Sequence, residues 1–402
     1  MKPDKSISRT FTLYAATTQR GARMPRRASV VALLVPLVLL GFACSDGRVL
    51  GDIVDGDASS DAAVDSASNA LADAGCSDGG CATLADFLPI PTVLDGPAYG
   101  DKALLSVWGT KADDVWAVGT QGAILHWTGS AWSVEPSGTA VPLRKVWGTE
   151  SGGVLVAAGD TILERRPGGS SWNQLLGACG EGKRVSACQL TSVWTSSGND
   201  TFAVGLFTDG VMRHRDKQWS RVSPYLAMKP GVLAPNMRDL RAMWGTSAND
   251  IWAVGASGAA AHGILDPASD AGAFTWTDHE SQSISTFEGI AGSGANDVWI
   301  VGTNGAIRHW TNAPDKTWEI VPRMTYADLH AVWVNSPSDV WAVGDEGTIL
   351  HFDGSSWRFA TAAFSQPNGK PDLYGVWASG PDDVWIVGVG VALRSRTSQV
   401  TQ

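Results

Sequence analysis

Asp339-Val340-Trp341-Ala342-Val343-Gly344-Asp345-Glu346-Gly347-Thr348-Ile349-Leu350-His351-Phe352-Asp353-Gly354-Ser355-Ser356-Trp357 is the stretch that decides the fold. An apolar run rich in Val and Trp is cut by a Gly-x-x-Gly turn. A second apolar run ends at His351, an Asp-Gly turn follows, and a lone Trp closes the unit. Just upstream, Leu329-His330-Ala331-Val332-Trp333 supplies another strand-like segment. Val, Ile and Trp favour strands, and apolar runs without alternation belong to strands buried on both faces.

The phrase returns along the chain from Leu104 onward. First-strand anchors fall at Trp108, Trp147, Trp194, Trp244, Ala291, Trp333 and Trp377, at spacings of 39 to 50 residues. Second strands follow over residues 115–119, 154–159, 202–205, 251–255, 298–302, 340–344 and 384–388. Trp132, Trp172, Trp219, Trp276, Trp318 and Trp357 mark short fourth strands. A period of this length with four strands per unit is the signature of a β-propeller blade. The expected fold is all-β: a single β-propeller of about seven four-stranded blades over residues 82–402. The seventh unit ends without its Trp, so residues 84–94 are expected to supply the missing strand and close the ring, because an open sheet edge invites aggregation.

The rest of the 402-residue chain is of another kind: all 19 Trp lie between Trp108 and Trp385. Residues 1–43 read as an export signal, with Arg26-Arg27 before an apolar run over 30–42; Met24 is a candidate start. Gly41-Phe42-Ala43-Cys44 is similar to the lipobox of bacterial lipoproteins, which implies lipidation at Cys44. Gly41 and Phe42 depart from that pattern, so ordinary signal cleavage and secretion stay open. Residues 44–81 carry eight Asp between 45 and 80 against one Arg, with no aromatic residue, and read as a disordered acidic linker. In an exported chain, the close pairs Cys76 with Cys81 and Cys179 with Cys188 read as small disulfide loops.

The formal net charge of −10 excludes a nucleic-acid partner. Asp114, Asp200, Asp250, Asp297, Asp339 and Asp383 precede second strands and are expected to fix hairpins by accepting backbone hydrogen bonds. His126, His214, His262, His309 and His351 recur at one repeat position and are expected to be structural. A ring spreads equivalent residues around its axis and so keeps them from one metal. No metal site, cofactor or catalytic constellation is expected. The irregular segments 173–189, 220–239 and 358–372 mostly lead into first strands, on the face that also carries the Gly-x-x-Gly turns. Recognition tends to live on such loops, and Lys183, Arg184, Tyr225 and Met237 are the candidate binding residues.

The units resemble the D-V-W-A-V-G-x-x-G-x-I-x-H-x-D-G-x-x-W propeller repeats of bacterial lipoproteins, over about residues 104–395. Leu155, Phe202 and Ala291 are local departures. Asp353-Gly354-Ser355-Ser356-Trp357 also looks like the Asp box of sialidase-type propellers. The repeat region, with Tyr225, Tyr326 and Tyr374 as its tyrosines, lacks a matching catalytic set. The resemblance implies a monomeric, membrane-anchored envelope or cell-surface lipoprotein, facing periplasm or exterior, that binds a protein or glycan. Two alternatives are a glycoside hydrolase or lyase with a central-channel site, which a carboxylate pair there would favour, and an envelope assembly factor.

Overall fold

The computed structural model describes residues 86–90, 102–175, 189–196, 200–206, 210–223, 239–269, 272–315, 317–364 and 369–395. Contacts divide the chain into Met1–Gly79 and Gly80–Gln402, and every described residue lies in the second unit. The export signal, the acidic linker and Cys44, Cys76, Cys81, Cys179 and Cys188 lie outside the described residues.

Seven four-stranded antiparallel sheets form seven blades of an all-β propeller. Blades 1 to 7 begin with the first strands Leu104–Lys111, Leu143–Gly148, Gln189–Thr195, Leu240–Ser247, Phe287–Gly294, Leu329–Ser336 and Leu373–Gly380. Within blades 1 to 6 the strands pair in chain order. Blade 7 takes its outer strand from the other end of the unit: Phe87–Pro89 pairs with Val391–Ser395. Phe87 is fully buried and meets Trp341 of blade 6 edge-on at 5.4 Å, while its backbone bonds to Thr361 and Ala363. The residues expected to close the ring therefore do so, and they tie blade 7 to blade 6 as well.

The Gly-x-x-Gly turns are tight hairpins with left-handed backbone at both central residues, as at Gln121 (φ 55°) and Gly122 (φ 70°). That is the twist a two-residue antiparallel connection needs. Gly122 is also required by space, since a Cβ there would lie 1.9 Å from the Thr139 carbonyl oxygen on the link into blade 2. The contact places the turns and the links between blades on one face.

Two interlocks join neighbouring blades. Second-strand Trp residues bury against aromatics on the outer strands of the next blade: Trp116 on Trp172, Trp252 on Trp310 and Trp318, Trp299 on Trp357. Trp385 of blade 7 meets Trp127 and Trp132 of blade 1 and completes the circle. Nearer the axis, the anchor Trp of one blade lies over the glycine after the anchor of the next. A Cβ on Gly148 would stand 2.4 Å from Trp108 Cη2, one on Gly292 2.7 Å from Trp244 Cη2, and one on Gly109 2.8 Å from Trp377 Cη2. This is why Trp is followed by Gly in the repeat.

Blade 3 has Thr195 at the glycine position and blade 7 has Ala378. The indoles that would lie there, Trp147 and Trp333, are only half-buried. They meet across the ring at 6.1 Å although blades 2 and 6 are not neighbours, and Trp147 Nε1 donates to the Thr195 carbonyl at 3.1 Å. Trp147 therefore bars the axis. Blade 5, on the far side, has Ala291 as its anchor, and blade 6 fills the matching space with Val334.

Truncating the closing aromatic tests the ring directly. Phe87→Ala is expected to cost about 3–5 kcal/mol, the usual range for a buried Phe, measured as a lowered urea midpoint with one cooperative transition.

Candidate functional site

The recurring aspartates and histidines meet, but as structure. His126 Nε2 lies 2.7 Å from Asp114, His262 2.7 Å from Asp250, His309 2.7 Å from Asp297 and His351 2.8 Å from Asp339. Each imidazole also stacks on the second-strand Trp of its own blade, 3.7–4.0 Å between ring centres. The carboxylates accept from side chains, Thr110 and Ser293 hydroxyls and the Trp116 and Trp299 indoles, and not from the backbone amides expected of a hairpin clamp. The reason is their place: each Asp opens the second strand, where its side chain faces a neighbouring strand and not its own turn.

His214 corrects the repeat alignment. In blade 3, Phe202 stands opposite Arg213, as Trp116 stands opposite His126. Arg213 Nε binds Asp200 at 2.7 Å, while His214 packs beside Trp219. Arg394 plays the same part on Asp383 in blade 7, at 2.6 Å, with its guanidinium 4.7 Å from the centre of the Trp385 ring. The position thus accepts either His or Arg, side chains that can lie on the aromatic and reach the Asp. Burial works to raise the Asp114, Asp250, Asp297 and Asp339 carboxyls, but hydrogen bonds from His and hydroxyl or amide neighbours prevail and hold them below the ordinary value. Among the described residues, no three or more His, Cys, Asp or Glu are placed to share a metal ion.

The axis holds the chemistry that the blades do not use. Every first strand carries a β-bulge one residue after its leading Leu or Phe, seen as a register break between Leu104 and Ser106 and at the six equivalent places. A bulge re-aims the side chain of its extra residue. The seven bulge residues are Leu105, Arg144, Thr191, Arg241, Glu288, His330 and Tyr374, and all seven line one bowl of about 240 Å³ on the axis, with Lys145 beside them. The bowl opens on the face that carries the Gly-x-x-Gly turns and the links into first strands.

Its charge opposes that of the chain, since Arg144, Arg241 and Lys145 outnumber one carboxylate, Glu288, among the described lining residues. Arg241 Nε is 4.0 Å from Glu288, too far for a hydrogen bond; it and Ser192 Oγ are buried with no partner among the described residues. Burial draws the Lys145 ammonium down to about 8. Burial also pushes the Glu288 carboxyl up, against the pull of Arg241 and His330. His330 Nε2 is fixed by Asp345 at 2.6 Å and its ring lies 4.9 Å from that of Tyr374. The bowl is a cation-rich cup suited to an anionic group. The described lining is polar and carries a single carboxylate, Glu288. A facing carboxylate pair is not among its described residues.

Lys183, Arg184, Tyr225 and Met237 lie outside the described residues. The segment bearing the first two rejoins the structure at Gln189, whose Oε1 accepts from Arg144 Nη2 of the bowl at 3.4 Å. Sequence reading passed over the bulge residues. Their signal is the first x of L-x-x-V-W-G, the place where the repeated strand holds six residue types across seven blades. The Asp353 turn is an exposed folding element. Its carboxyl is drawn down to about 2 by the Ser355 hydroxyl and the Ser356 and Ser355 amides.

No family profile and no curated protein sequence matches this chain. Among solved structures the fold is similar to YCF48 bound to D1 peptide, at 15% identity and a TM-score of 0.55, covering 77% of this chain and 95% of that one. YCF48 from Cyanidioschyzon merolae aligns at 16% identity and a TM-score of 0.58, covering 78% and 99%. The WD40 β-propeller domain of Doa1 aligns at 12% and 0.56, covering 78% and 98%. At these identities the likeness shows the fold, a seven-bladed β-propeller, and no particular family.

The paired aspartates set a pH response. Carboxyls held low in the folded chain add stability that is full above their unfolded value, about 3.9, and is lost as pH falls through the folded values. The urea midpoint is expected to fall on acidification below about pH 4. Asp297→Asn is expected to lower the midpoint at pH 7 and to flatten that acid slope, both read from urea titrations between about pH 7 and pH 2.

Proposed function

We propose that this propeller binds a protein partner through the face that carries the bowl, with an acidic group of the partner seated among Arg144, Arg241 and Lys145. Arg241 Nε and Ser192 Oγ, buried without a hydrogen-bond partner among the described residues, carry the reading, because such polar groups are costly unless a ligand completes them. YCF48, the similar fold solved with the D1 peptide, is an instance of a propeller of this shape holding a peptide. The segments with Lys183, Arg184, Tyr225 and Met237 are proposed to widen the contact around the rim. Export through residues 1–43, lipidation at Cys44 and a tether over residues 44–81 would hold the propeller at a membrane in the periplasm or at the cell surface. The role is non-enzymatic binding.

Charge reversal tests it. Fluorescence anisotropy of labelled hexaglutamate on the full chain is expected to show saturable, salt-sensitive binding. Arg241→Glu and Arg144→Glu should each weaken it at least tenfold. Binding should also weaken as pH rises past about 8, where Lys145 loses its proton. Affinity capture from envelope extract should lose its retained protein with the same two variants. Equal binding by wild type and both variants would overturn the assignment.

A further inference from the structure

The opposite end of the axis holds a second cavity, of about 600 Å³, under the Trp147 bar. Its floor is indole: Trp147 and Trp333 are half-buried, whereas Trp108, Trp194, Trp244 and Trp377 are buried. Its rim follows a sequence rule, for the second residue after five of the anchors, Thr110, Thr149, Ser196, Thr246 or Ser379, lines it. These five hydroxyls form a rim without charge. Glu150 is the only ionisable side chain among the described residues lining the cavity.

We infer that this vestibule is a binding site for a neutral saccharide. A pyranose ring has an apolar face of C–H groups and an edge of hydroxyls. The displaced indoles offer flat apolar surface for the face, and Trp presents such area with little loss of conformational freedom. The hydroxyls of Thr110 and Ser379 donate to Asp114 and Asp383, so their remaining lone pairs are left to accept from sugar hydroxyls. The volume falls within the range of about 300–1,000 Å³ usual for small-ligand sites. The lack of any Lys or Arg among the described lining residues selects against uronic and sialic acids. Trp147 and Trp333 are exposed here only because Thr195 and Ala378 replace the glycines they would cover, so two departures from the repeat create the floor. The site lies at the other end of the axis from the basic bowl and stands or falls separately from it.

Calorimetric titration of the full chain with maltohexaose, cellohexaose and chitohexaose tests the inference. Saturable binding of at least one is expected, unaffected by salt. Trp333→Ala and the rim variants Ser196→Arg and Thr246→Arg should each weaken it at least tenfold, while Arg241→Glu in the bowl should leave it unchanged. The rim variants decide the matter if Trp333→Ala fails to fold, because Ser196 and Thr246 are exposed. No heat from any of the three sugars, or binding that survives both rim variants, would overturn the site. Tetramethylammonium binding in their place would do the same, reassigning the indoles to a cation.

Discussion

An indole laid over a glycine of the next blade is the contact on which this propeller rests. It needs two things at once, a Trp on one first strand and the absence of a Cβ on its neighbour, so it couples adjacent repeats where β-propensity alone would leave them independent. Gly109, Gly148, Gly245 and Gly292 each receive such a ring. Trp377 of blade 7 covers Gly109 of blade 1, so the rule spans the join between the ends of the ring, while Thr195, Val334 and Ala378 interrupt it at blades 3, 6 and 7. A core built this way transmits local changes, since packed interiors have little slack. The exchange of Gly for Thr195 is felt one blade back, in the position of Trp147, and through it at the centre of the ring.

The same first strands carry both proposed binding surfaces, and they do so at their irregular residues. A regular strand alternates its side chains between two faces, and here both faces are occupied by neighbouring blades. Only a residue that breaks the alternation can look down the axis. The bulge after the leading Leu or Phe provides this in all seven blades, and five blades repeat the device beyond the anchor, at Thr110, Thr246, Ser293, Asn335 and Ser379. The scaffold can therefore keep V-W-G constant for packing while the bulge position ranges from Leu105 to Arg241 to Glu288. Stability and specificity are written in different letters of one phrase.

Much of this was legible beforehand. The apolar runs, the Gly-x-x-Gly turns and the missing Trp of the last unit were enough for the blade count, the turn geometry and the closing strand, because each reflects a local rule of strand burial or chain reversal. The bowl residues were harder to see, because only their variability from blade to blade marks the bulge: Arg144 and Arg241 look like ordinary solvent-facing charges between apolar neighbours. His214 misled for a related reason. A slightly longer hairpin in blade 3 slips the register by one, and only the pairing of Phe202 with Arg213 reveals the stand-in. The Asp residues were rightly read as structural but given the wrong donors, since the stacked His belongs to a strand whose proximity depends on the fold.

Joining Phe87–Pro89 to Val391–Ser395 has a bearing on how the molecule is made. The strand synthesised earliest has no partner until the one synthesised last is available. Contacts so distant along a chain are slow to form, because loop closure must precede any reward from pairing. Until then blade 7 lacks its outer edge, and the hydrophobic pocket for Phe87 beside Trp341 stands unfilled. The polypeptide thus has a built-in delay between emergence and completion.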